Sequence, residues 1–103
     1  MNENIPTIEQ LVPGAKIFIA AHWMSSVREA IFLGFNDPSM PSFFQYKYHW
    51  DGEELPSVGE DNLADRGYPG YSYDSRPNQI WLTREAAETG LIEANKWFRW
   101  DKT

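Results

Sequence analysis

The sequence predicts an α+β domain: a small, strongly bent antiparallel sheet of four to five strands, with a short N-terminal helical turn and a C-terminal helix. Three observations point there. Phe43–Trp50 alternates cleanly, with Phe44, Tyr46, Tyr48 and Trp50 on one face and Phe43, Gln45, Lys47 and His49 on the other. Two runs rich in strand formers, Ala15–Trp23 and Val27–Phe35, are separated only by Met24, Ser25 and Ser26 and form a hairpin. Near the C-terminus, Ala87, Leu91, Ala94 and Phe98 recur at helical spacing as a buried stripe.

Taken in chain order, Pro6 and Thr7 open a helical turn through Ile8–Leu11, with Thr7 as its cap. Pro13 and Gly14 end that turn and deliver the chain into the first strand, where Ile17 and Ile19 alternate with Lys16 and Phe18. Asn36–Ser42 is a loop by composition. From Asp51 to Asn78 (51–78) no regular pattern holds, and a loop of that length in a small domain is of the kind that carries function. Gln79–Leu82 makes a short strand, and Thr83 caps the closing helix. Gly90 weakens that helix by about 1 kcal/mol relative to alanine and marks a place where it could kink. The turn, strand and hairpin resemble the start of small SH3-like barrels, a likeness of fold and not of function.

A chain of 103 residues supports one domain, 1–103. Its 16% aromatic content supplies 16 rings, each able to bury roughly 150–250 Å². With no cysteine, disulfides, thiolate nucleophiles and the usual structural zinc sites are excluded. Met1–Asn4 has neither the basic nor the apolar stretch of a secretory signal. The longest apolar runs, Ile17–Ala21 and Ala30–Leu33, are too short to cross a membrane. The expected location is the cytoplasm.

Charge gives the sharpest functional clue. Asp51, Glu53, Glu54, Glu60, Asp61 and Asp65 fall in a stretch without a basic residue. They account for the whole net charge of −6, because the rest of the chain carries as many bases as acids. Such a segment can steer the protein to a cationic surface, including one that otherwise holds nucleic acid, while Leu55, Val58 and Leu63 anchor it. Direct binding to nucleic acid is not expected of a chain this acidic. Nor do the acids match a calcium loop: Gly52 is misplaced in Asp51–Glu54, and Glu60, Asp61 and Asn62 lack the spacing.

A second candidate is the segment holding Arg66, Tyr68, Tyr71, Tyr73 and Arg76. Two guanidinium groups could clamp a phosphate while a tyrosine stacks on a base, as in a nucleotide-binding or nucleotide-sequestering protein; otherwise the tyrosines pack the loop onto the sheet. Most of the tryptophans are expected in the core. Trp100 is the exception, and beside Trp97 it would form an apolar patch suited to a homodimer. His22 and His49 have no recognisable catalytic neighbours, and no nucleophile elbow, zinc motif or phosphate loop occurs.

The sequence therefore predicts a non-enzymatic acidic protein–protein interaction module without cofactor or metal. Its expected role is that of an inhibitor docking on a basic, nucleic-acid-binding surface. Small proteins that phages and mobile elements use against such machinery are similar in size and charge, though no motif is shared.

Overall fold

The computed structural model describes residues 4–21, 26–48, 55–72 and 74–97. Within these, a 3₁₀ turn at Ile8–Gln10 precedes five strands: β1 (Lys16–Ile19), β2 (Arg28–Phe35), β3 (Phe43–Tyr48), β4 (Ser57–Asn62) and β5 (Ile80–Trp81). Helix α1 (Arg84–Trp97) is the last element among the described residues.

Local chemistry accounts for the ends of these elements. Gln10 N–H donates to Thr7 Oγ1 at 3.2 Å while Thr7 N–H donates to Gln10 Oε1 at 2.8 Å, a reciprocal cap on the first turn. At the other end of the chain, Ala86 N–H donates to Thr83 Oγ1 and fixes the start of α1.

The strands form one antiparallel sheet in the order β4-β3-β2-β1-β5. β4 and β5 are opposite edges that do not meet, so the sheet is neither strongly bent nor closed into an SH3-like barrel. After β4 the chain crosses the sheet to reach the far edge instead of continuing the meander, and β5 contributes only two residues there. The expected irregular stretch from 51 to 78 also needs correction, because it contains β4. Ser57–Asn62 has almost no strand formers; its six-residue register with β3 supplies the order its composition does not.

Alternation divides the core into two layers. Ile17, Ile19, Ala30, Phe32, Phe44 and Tyr46 point to one face. There Leu11 and the crossing segment, through Leu63 and Tyr68, cover them. Phe18 and Ala20 point to the other face and meet Ala87, with Trp81 and Leu91 packed alongside. β1 is thus covered on both sides, which explains why Ile17, Phe18 and Ile19 are all buried. Phe32 stacks on Phe44 with ring centroids 5.6 Å apart, near the centre of the larger layer.

Gly90 does not kink α1, which runs unbroken from Arg84 to Trp97. A Cβ at this position would lie 2.5 Å from Trp81 Nε1, so the glycine lets the indole lie directly against the helix. Trp97, expected in the core, is 44% exposed, with the Arg76 guanidinium 5.7 Å from its ring centroid. Among the described residues, no helix is long and apolar enough to cross a membrane.

Candidate functional site

The acidic segment is sorted by strand alternation. In the β3–β4 register Asp61 lies opposite Phe44 and shares its inward face, whereas Glu60 lies opposite Gln45 and points outward. The Asp61 carboxylate meets the guanidinium of Arg66, with Oδ1 3.1 Å from Nε, and both side chains are almost wholly buried. Arg66 also donates from Nη1 to Gln79 Oε1 at 2.8 Å. Burial pushes the Asp61 carboxyl above the usual aspartate range, outweighing the opposite pull of Arg66. Asp61 is therefore an internal ion-pair partner, and its charge is compensated inside the molecule.

Glu60 and Asp65 differ. Glu60 is exposed and accepts from Asn36 Nδ2 at 2.6 Å. Asp65 is exposed too; Oδ2 accepts from Asn62 Nδ2 at 2.9 Å, and its own N–H donates to Asn62 Oδ1 at 2.7 Å. Both hydrogen-bond partners are neutral amides and both carboxylates are exposed, although that of Asp65 also lies in the field of the Arg76 guanidinium. Asp51, Glu53 and Glu54 lie outside the described residues, as do His22, His49, Tyr73 and Trp100.

Of the three expected anchors, Leu55 is 77% and Val58 59% exposed, whereas Leu63 is fully buried in the core. Leu63 follows β4 directly and turns inward with the chain; its N–H donates to Ser42 O at 3.0 Å. The sequence reading missed Phe43, which is 53% exposed on the outward face, opposite Asn62. The alternation of β3 does assign Phe43 to the face away from Phe44, and that was the available signal.

The Arg–Tyr segment is likewise built inward. Tyr68 is buried, and its hydroxyl donates to Pro6 O at 2.5 Å. The Tyr71 ring packs 5.5 Å from that of Tyr68. Arg76 donates from Nε and Nη2 to the Asp74 carboxylate at 2.9 and 2.7 Å, and from Nη1 to Asp65 O at 3.0 Å. Hydrogen bonds from Arg76, its largest influence, hold the Asp74 carboxyl well below the usual range. Both guanidinium groups proposed for a phosphate clamp are therefore engaged with the protein's own oxygens.

Elsewhere Glu29 bridges Lys16 at 3.4 Å and Arg84 at 3.3 Å on the surface. Among the described residues, no group of three or more His, Asp or Glu side chains is placed to hold a metal ion. No family model, curated protein or solved structure matches this chain.

Proposed function

We propose that the protein is a non-enzymatic binding module whose β4 edge docks on a basic protein surface of the kind that handles nucleic acid, and inhibits it. One observation carries this reading. Along the outward face of β4, exposed Val58 and Glu60 lie side by side, with exposed Leu55 just ahead, exposed Asp65 just beyond and Phe43 on the neighbouring strand. An attracting carboxylate, Glu60, and apolar groups that hold, Val58 and Phe43, thus share one face, with exposed Lys47 opposite Val58 as the cation beside them. Among the described residues nothing covers this part of it: α1 packs on the same face of the sheet, but over β1 and β5 at the other edge.

Asp61 takes no part in this docking, since it is neutralised inside. Glu53, Glu54, Glu60 and Asp65 supply the field, the first two by their place in the sequence.

The test is a capture of host proteins on the immobilised chain, followed by affinity measurements on the captured partner over roughly 50 to 500 mM salt. Affinity should fall steeply with salt, and heparin, as a competing polyanion, should displace the protein. Changing Glu53, Glu54 and Glu60 to Gln and Asp65 to Asn should flatten the salt dependence without altering the melting temperature. A partner held equally well across the salt series, or by the fourfold variant, would refute the reading.

A further inference from the structure

The two edges of the sheet end differently. At β5 backbone groups that turn outward are already taken: Asn78 Nδ2 donates to Ile80 O, and Leu82 N–H donates to Asn4 O at 2.7 Å. At β4 they are open. Leu63 N–H donates to Ser42 O at 3.0 Å and Asn36 N–H to Phe43 O at 2.9 Å, which fixes the phase of β3 between its two neighbours. In an antiparallel ladder, successive residues turn their backbone groups to opposite sides. Ser57, Gly59 and Asp61 therefore bond β3, whereas Val58 and Glu60 aim N–H and C=O away from the sheet, where no described residue meets them. Asn62, the next outward residue, is engaged by its own turn, its C=O accepting from Arg66 N–H at 3.2 Å.

Edges of this kind usually carry a lysine, a proline, a bulge or a cover that prevents further pairing. Among the described residues β4 shows none of these, and its register with β3 runs unbroken from Ser57 to Asn62. Gly59 adds no side chain to obstruct an incoming strand. A Cβ there would lie 2.9 Å from the rings of Tyr46 and Tyr48, which fill that space instead.

Charge decides which strand is admitted. Glu60 is exposed beside the neutral amide of Asn36, and Lys47 lies opposite Val58 on the same face. A residue added across from Glu60 gains by being cationic. One added across from Val58 gains by being apolar, since Lys47 stands just behind it. A second copy of this chain fits poorly: the stretch 51–65 that holds β4 has six carboxylates and no basic residue, so two such edges repel.

We propose that β4 takes up an extended basic segment of the partner as an added strand, with a lysine or arginine across from Glu60 and an apolar residue across from Val58. This rests on the reading of β4 as the docking edge, and adds that backbone hydrogen bonds hold what charge attracts.

The experiment is an NMR titration of the full ¹⁵N-labelled chain with a short peptide in which threonines alternate with lysine, valine and lysine. In the free chain the Val58 and Glu60 amides should exchange with solvent fast, and those of Gly59 and Asp61 slowly. With peptide at about ten times its Kd, exchange at Val58 and Glu60 should slow about tenfold. The peptide N-methylated at its lysines and valine cannot donate to the edge and should bind at least about tenfold more weakly. N-methylated instead at its threonines, whose N–H groups point away from β4, it should bind like the unmodified form. The proposal is overturned by no binding of the unmodified peptide at about 1 mM, by equal binding of the two methylated forms, or by protection of Val58 and Glu60 in the free chain that rises with its concentration, the mark of a second copy at the edge. Equal binding of the methylated forms with salt dependence kept removes strand addition alone and leaves charge-led docking standing; a captured partner indifferent to salt removes the docking itself.

Discussion

Gly67 is where the crossing segment folds back on itself, and replacing it tests how that segment is held. Its φ is +69°, in the left-handed region, and a Cβ there would lie 2.2 Å from Pro77 O, 2.8 Å from Pro77 C and 3.0 Å from Arg76 O. Each of these is backbone and cannot rotate away. To restore van der Waals contact the two arms of the segment must part by about 1 Å. The same arms are joined by Gln79 N–H to Arg66 O at 2.8 Å and by the Arg66–Gln79 side-chain bond. Left-handed backbone costs a residue with a Cβ about 1–2 kcal/mol, and overpacking adds about 1–3 kcal/mol. Gly67→Ala should therefore lose about 2–5 kcal/mol, a large part of an ordinary domain's stability. Gly70 is the internal control: φ is +89°, yet nothing lies within 4 Å of its Cβ position. Gly70→Ala should lose only the conformational part, about 1–2 kcal/mol. Urea unfolding followed by tryptophan fluorescence measures both. Losses equal to within about 0.5 kcal/mol would refute the tight apposition of Gly67 and Pro77.

Further outcomes follow from the core and the buried charges. Phe32→Ala empties a site 1% exposed and ringed by Phe35 and Phe44, and should cost about 3–5 kcal/mol in the same assay. Arg66→Met strands the Asp61 carboxylate in the interior and should cost about 3–5 kcal/mol. Asp61→Asn should cost less, because burial already disfavours that charge; paired unfolding curves with equal losses would contradict this asymmetry. Because its carboxyl is raised, the folded protein holds the Asp61 proton more tightly than the unfolded chain does. Wild type should thus lose stability relative to Asp61→Asn as pH rises from the ordinary aspartate value through Asp61's own, and then run parallel to it. Burial, aided by Asp61, pushes the Tyr46 hydroxyl up to about 12, so stability from this group holds below the ordinary tyrosine value and is lost as pH rises toward 12. An alkaline absorbance titration should show a late-ionising tyrosine that disappears in Tyr46→Phe.

Legibility differed sharply between elements. Thr7 after Pro6 announces the first cap, to which the structure adds Gln10 as its reciprocal partner, and β3 announces its two faces by strict alternation of rings with Gln45 and Lys47. Of the expected stripe of α1, Ala87 and Ala94 are buried and Leu91 half-buried, while Phe98 lies outside the described residues. β4 was not legible. Ser57, Gly59, Glu60, Asp61 and Asn62 favour turns or solvent when considered singly, and only a partner strand makes them a strand. Missing β4 also hid the opposite fates of Glu60 and Asp61, since adjacent acids look alike until a pleat separates them.

The sequence by itself determined the local order of this protein: where helices are capped, which strand positions are apolar, and where the negative charge is concentrated. Each is set by neighbours a few residues apart, within reach of backbone hydrogen bonds and side-chain periodicity. Tertiary structure decided which charges remain outside. Arg66 and Asp61 meet because an edge strand and the turn after it face the same core, and Arg76 is committed by Asp74 and a backbone carbonyl eleven residues away. Desolvation and ion pairing depend on what surrounds a group in space, and that surrounding is assembled only when the chain crosses the sheet.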